Sequence, residues 1–241
     1  MTDLSAAIPG RRPLSLRLRE ETRRAHESVE RAAAFNRLVV VRIPAAGGSA
    51  PGIARQHERA RAEYREVYRR FLIAAHGFEA AADLRFQGSA ARAQAIASGF
   101  PEESIEPVRM IREDLARLFG TAAAHDLPRM DDLPEAPALP ELAGMEYVRR
   151  GSRAGGAVIG GVVRANLGLG PADGAGFLGG YGSRTKSVIV AFKDWLDGLP
   201  LEEAEMTRAV AAATRTFEAV ERWHLRLEAS VGWRQAVTAY P

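Results

Sequence analysis

The chain has 241 residues, 46% hydrophobic and 26% charged, enough apolar material for one globular domain with a core and a ligand cavity. It contains no cysteine, which excludes disulfides, thiolate zinc sites and cysteine-held iron–sulfur clusters and leaves metal chemistry to histidine, carboxylates or a carried group. A net charge of +3 with a pI near 9.6 rests almost wholly on arginine, and its alternation with glutamate, as in RQHERARAEYREVYRR, reads as solvated helix faces without the interleaved aromatic residues of a nucleic-acid surface.

The N-terminus MTDLSAAIPGRRP has no apolar centre for a signal peptide, and no uncharged run of 18 residues occurs. A soluble, cytoplasmic protein without membrane or nucleic-acid partners is therefore expected. Residues 1–13 are expected to form a flexible N-terminus, 14–230 one domain and 231–241 a C-terminal tail. A first helix is predicted from Ser15 to about Asn36, with Leu18, Thr22, Ala25, Val29 and Ala33 on one stripe. Residues 37–54, which include PAAGGSAPG, read as an inserted loop. Helices follow over 54–82, 89–98 and 104–119, then an Asp/Pro-rich connector over 120–138, then helices over 139–167, 183–197 and 201–229. The short apolar runs Leu38–Ile43 and Val188–Phe192 are the strand candidates. The fold class is all-α, a single helical bundle.

The segment ELAGMEYVRRGSRAGGAVIGGVVRANLGL keeps helical spacing yet carries interior glycines at 144, 151, 155, 156, 160 and 161. Each interior glycine costs about 0.5–1 kcal/mol relative to alanine, so something compensates. Close helix packing through small faces is one explanation, and approach of a flat ligand to bare backbone is the other. Of the five histidines, His26 lies beside the apolar stripe of the first helix and shares a face with Arg19 and Glu30. His57 sits in a charge-dense stretch and reads as solvated, while His76 and His125 border predicted helix ends, where capping explains them. His224 forms a lone Glu221-x-x-His224, and a di-iron site needs a second such pair. GAGFLG, residues 174–179, matches a dinucleotide fingerprint formally, but it follows a helix and a turn where a buried strand is required.

Taken in order, LREETRRAHESVE, YVRRGSRAGG and GFLGGYGSRTKSVIVAFKDWLDGL running into TFEAVERW resemble the biliverdin-producing heme oxygenase family, especially its bacterial branch. The resemblance spans residues 14–36 and 60–230. It implies a heme oxygenase-like helical bundle that binds heme as both substrate and cofactor. Heme would be cleaved with dioxygen and an external ferredoxin- or flavoprotein-like reductant to biliverdin, carbon monoxide and ferrous iron. By the same resemblance His26 is the axial iron ligand and Glu30 the carboxylate near it. Arg19 and Lys193 match propionate partners, with Lys186 seven residues away on the face of Lys193. Gly151, Gly155 and Gly156 let the backbone lie over the heme, Phe217 is an aromatic heme contact, and Tyr147 stands near a family tyrosine. Many members carry Asp directly after the first of these glycines. Here Ser152 takes that position, so proton delivery is assigned to Ser152, Arg153, other polar groups or water. Two other readings stand beside this one: a heme-binding carrier or sensor without turnover, and a helical relative that binds a non-heme ligand.

Overall fold

The computed structural model describes residues 12–31, 33–44, 51–101 and 105–230. The expected tail and the expected flexible N-terminus, apart from Arg12 and Pro13, lie outside the described residues. No strand occurs among them, and the helices are α1 (Leu14–Glu21), α2 (Arg23–Arg31), α3 (Ala33–Val40), α4 (Pro51–Gly88), α5 (Arg92–Ala97), α6 (Pro107–Phe119), α7 (Leu139–Leu167), α8 (Gly176–Gly179), α9 (Thr185–Gly198) and α10 (Glu203–Ala229).

The helix expected from Ser15 onward is bent at Thr22. The Thr22 hydroxyl donates to the Leu18 carbonyl at 2.6 Å, the back-bond by which threonine bends a helix. The main-chain ladder nevertheless continues from Thr22 N to Leu18 O and from His26 N to Thr22 O. The loop expected at 37–54 is shorter than the sequence suggested, since α3 reaches Val40 and α4 begins at Pro51. Both strand candidates are corrected. Leu38 is a fully buried member of α3, Val188–Phe192 lies within α9, and Val41–Ile43 is irregular. That irregular piece is pinned by Asn166, whose side chain accepts from Ile43 N at 3.0 Å and donates to Val41 O at 2.9 Å.

Packing centres on the pair α7 and α10. Pro140 opens α7 in the first turn, where its missing N–H costs nothing, and Gly168 closes it at φ +75°. A reciprocal Glu202/Glu205 capping box opens α10. The helices approach closely where Gly144 meets Ala209 and Ala213, because a Cβ at Gly144 falls 2.2 Å from Ala209 O. Trp223 ties α10 to α4 by donating its indole N–H to Ala74 O at 3.0 Å.

Two apolar cores result. One gathers Leu18, Phe78, Leu142, Met145, Val148, Trp195 and Phe217, the other Leu38, Tyr68, Leu72, Ile111, Ile159, Val163 and Leu178. Helix α7 runs through both, and its stretch 149–156 contributes to neither. That junction holds the arginines and the central glycines.

Candidate functional site

Helix α2 rests on α10 and buries none of its residues completely. Ser28 donates to the Glu221 carboxylate at 2.6 Å, and the His26 ring meets Phe217 edge-on with centroids 5.3 Å apart. Phe217 and Glu221 are one turn apart, so a single face of α10 sets the pitch of α2. The His26 side chain is 53% exposed, and its Nε2 lies 3.8 Å from Glu30 Oε1, beyond hydrogen-bond reach. Its nitrogen lone pair is accessible.

Tyr147 of α7 lies beside the Thr22 side chain and within the field of Arg19. Burial nonetheless raises its phenol above the usual tyrosine range. This contact joins α7 to the bend between α1 and α2. One turn along α2 from it is His26, and one turn along α7 is Gly151. With Gly155 and Val158, Gly151 and Tyr147 share one face of α7. A Cβ built at Gly151 or Gly155 meets nothing within 4 Å, and Val158 is 68% exposed. Bare backbone and an exposed valine in line are what a flat apolar ligand covers, so these residues fit a porphyrin.

The propionate candidates sit on exposed faces of α1 and α9. Asp197 of α9 accepts from both Ser15 N and Ser15 Oγ at 2.7 Å, which places a carboxylate at the N-terminus of α1. Arg19 is one turn beyond that contact on α1, and Lys193 is one turn before Asp197 on α9. Lys186 is exposed two turns further along α9.

Two of the expected site residues are turned away from the open glycines. Arg153 lies across α7 from the open glycines, 3% exposed, with Glu79 and the Tyr181 hydroxyl as partners. Its guanidinium therefore does not face the open glycines, and it is not retained as a proton donor there. Gly156 is also turned away, packing on α8 with a Cβ position 3.3 Å from Leu178 O. Ser152 stands between these two faces and donates to Arg149 O at 2.8 Å, leaving its oxygen free to accept. The α7 glycines thus divide into two groups: Gly144, Gly156 and Gly160 pack against protein, while Gly151 and Gly155 face open space.

Behind the glycine stretch lies a buried ionic cluster that sequence reasoning missed. Arg149, Arg150 and Arg153 of α7 are buried with Glu146 of α7 and Glu79 of α4. Burial alone would push the Glu79 carboxyl upward, but Arg153 and Arg149 outweigh it and hold the group below its ordinary range. Arg150 lies over both Phe100 and Phe192, 4.3 and 4.8 Å from their ring centroids. Removing one partner from such a cluster costs about 3–5 kcal/mol. The available signal was a lone glutamate in FLIAAHGFEAAAD, since a carboxylate inside an apolar run is buried only with a partner.

A cavity of about 540 Å³ adjoins this cluster on the far side of α7, lined by Phe86, Ile96, Phe100, Arg149 and Arg150 among others. It does not coincide with the glycine face, and its arginines already have acidic or aromatic partners. The remaining histidines lie elsewhere. His57 is half-buried with Nε2 2.8 Å from Pro44 O, and His125 follows a short 3-10 turn. His76 is interior to α4, 3% exposed and contacted by Arg112, so its capping assignment is corrected. His224 is buried on α10. The GAGFLG segment forms α8, whose first N–H groups at Gly176 and Phe177 are both taken by Asp114 at 2.9 Å. No group of three or more acidic or histidine side chains is placed to hold a metal ion among the described residues, and none of their helices is long and apolar enough to cross a membrane.

The heme oxygenase family profile matches residues 55–226. No curated protein sequence is significantly similar. Among solved structures, the chain is similar to heme oxygenase from Neisseria meningitidis, solved with NO and CO bound, at 19% identity and TM-score 0.64, covering 91% of this chain and 95% of that one. It is similar to the Leptospira interrogans enzyme at 19% identity and TM-score 0.63, covering 90% and 100%. The heme complex of heme oxygenase-1 from the cyanobacterium Synechocystis matches at 14% identity and TM-score 0.63, covering 94% and 96%.

Proposed function

Since the chain belongs to the heme oxygenase family, we propose that it holds heme between α2 and α7 and cleaves it to biliverdin, carbon monoxide and ferrous iron, with dioxygen and an external ferredoxin- or flavoprotein-like reductant, in the cytoplasm. The observation that carries this reading is the open face at Gly151 and Gly155, reached from the same Tyr147–Thr22 contact that leads along α2 to His26. Heme supplies the redox-active iron at which dioxygen is activated.

The residues of the chain have separable tasks. The exposed imidazole of His26 would hold the heme iron through a ring nitrogen, and the Phe217 edge limits rotation of its ring. Glu30 places a negative charge near that ring, which favours a donor nitrogen richer in electrons. Arg19 and Lys193 supply positive charge for the propionates, and Lys186 extends it along α9. Gly151 and Gly155 would offer bare backbone to the porphyrin, with no acidic or basic side chain of their own. Ser152 can accept a hydrogen bond from water at the slot edge, leaving water to carry protons inward.

A hemin titration followed by ascorbate under air tests the proposal. A defined Soret band that bleaches to biliverdin absorption supports it. A stable hemin complex without biliverdin indicates a carrier or sensor, and no defined spectrum indicates a non-heme ligand. His26→Ala is expected to abolish the axial-ligand signature of the native complex. Unchanged spectra and turnover in that variant would refute the ligand assignment.

A further inference from the structure

On the heme-facing side of α7, Tyr147 meets Thr22 one turn before Gly151, while Gly151 and Gly155 themselves face open space. The stretch 149–156 also lies between the two apolar cores without belonging to either. Its anchors are all on the opposite face. Arg149 and Arg153, one turn apart, bracket Gly151 and converge on the single carboxylate of Glu79. Arg149 Nε donates to Oε2 at 2.9 Å, Arg153 Nε to Oε1 at 2.9 Å, and Arg153 Nη2 to Oε2 at 2.5 Å. Two arginines from successive turns engaging both oxygens of one group form a two-point clamp, which resists rotation as well as sliding. Glu79 itself cannot move freely, since it is 1% exposed on α4, two residues from Gly77, which packs against Trp223.

We infer that Glu79 is a positioning residue for the heme reaction, setting through Arg149 and Arg153 the distance between the bare Gly151–Gly155 backbone and the bound porphyrin. This rests on the heme-cleaving reading of the slot. With Cα atoms about 2.3 Å from the helix axis, each 10° of rotation about that axis displaces the wall by roughly 0.4 Å. Catalytic geometry tolerates about 0.5 Å and 10–20°. Loss of the clamp on either arginine is therefore enough to move the wall out of tolerance while leaving α2 and His26 untouched.

The test compares Glu79→Gln, which keeps the shape and removes the charge, with Leu133→Ala, a cavity variant in the core that lowers thermal stability without touching α7 anchors. Both are loaded with hemin, reduced, and exposed to CO, whose stretching frequency reports the wall above the iron. Glu79→Gln is expected to keep the His26-ligated ferric spectrum, to shift or broaden the C–O band, and to lose about 100-fold in turnover per bound heme. Leu133→Ala is expected to keep both the band and the turnover. Should Glu79→Gln not fold, Glu79→Asp preserves the charge but cannot span both arginines, and the same band is read. A Glu79 variant whose band and turnover match Leu133→Ala overturns the positioning role and leaves a purely structural cluster. A wild-type protein without a defined hemin spectrum overturns the functional reading itself.

Discussion

Replacing Gly151 and Gly155 by alanine has opposite consequences for the empty and the loaded protein. Both residues are helical, and neither would place its new Cβ within 4 Å of another group. Each substitution removes the backbone-entropy cost of a mid-helix glycine, about 0.5–1 kcal/mol. For a chain of this size one kcal/mol shifts Tm by about 2–4 °C, so the double variant without heme should melt about 2–8 °C higher. In the proposed complex the same two methyls would stand where the porphyrin face lies. Overpacking a fitted surface costs about 1–3 kcal/mol, which corresponds to a fall of about 5- to 150-fold in hemin affinity. Gly144→Ala provides the contrast, because its Cβ would collide with Ala209 O and Ala213 N and should lower Tm. Thermal melting without hemin and hemin titration read the two effects separately. A double variant that melts lower than wild type, or one that binds hemin equally well, would show that the glycine face is not the heme wall.

Three further outcomes follow from the same geometry. Arg19→Glu and Lys193→Glu, both on exposed faces, should leave melting without heme within about 0.5 kcal/mol of wild type while weakening hemin binding. That weakening should vanish with hemin dimethyl ester, and equal losses for both porphyrins would remove the propionate roles. Burial pushes His224 down from 6.5 to about 4, so it folds neutral. The stability this represents is complete above pH 6.5 and is lost as pH falls toward 4, about 3 kcal/mol in all. His76 shifts in the same direction through burial and Arg112. His224→Leu should therefore flatten the acid limb of a urea-denaturation pH profile, and a slope equal to wild type between pH 6.5 and 4 would contradict this. Asp197→Asn removes the charge that caps α1 and should cost about 1 kcal/mol, measured by the same denaturation at pH 7.

The long helices were legible because their apolar residues repeat at helical spacing with clear ends. Residues 139–167 carry Pro140 in the first turn and Gly168 just beyond the last, and α7 has those bounds. The bend at Thr22 was not legible, since threonine on an apolar stripe gives no warning that its hydroxyl will bond back to Leu18. In the site, the order of the motifs brought His26, Phe217, Gly151 and Gly155 into view. The fate of Arg153 and Gly156 depended on rotation about the helix axis, which a motif does not encode. The buried cluster was hidden because YVRRGSRAGG has the composition of a solvated face. Only Glu79, far away in sequence, reveals that those arginines point inward.

The contacts that seat α1 and α2 are among the longest in sequence. Ser15 reaches Asp197, Arg17 reaches Glu203, and Ser28 reaches Glu221 across 193 positions. At about 5–20 residues per second, a ribosome that has just made His26 needs roughly 10–40 s to make the helix against which it rests. During that interval the nascent chain holds an imidazole with neither of its supporting walls. If heme is held at His26 as proposed, the growing polypeptide lacks the α10 face that seats its ligand until that helix has been made.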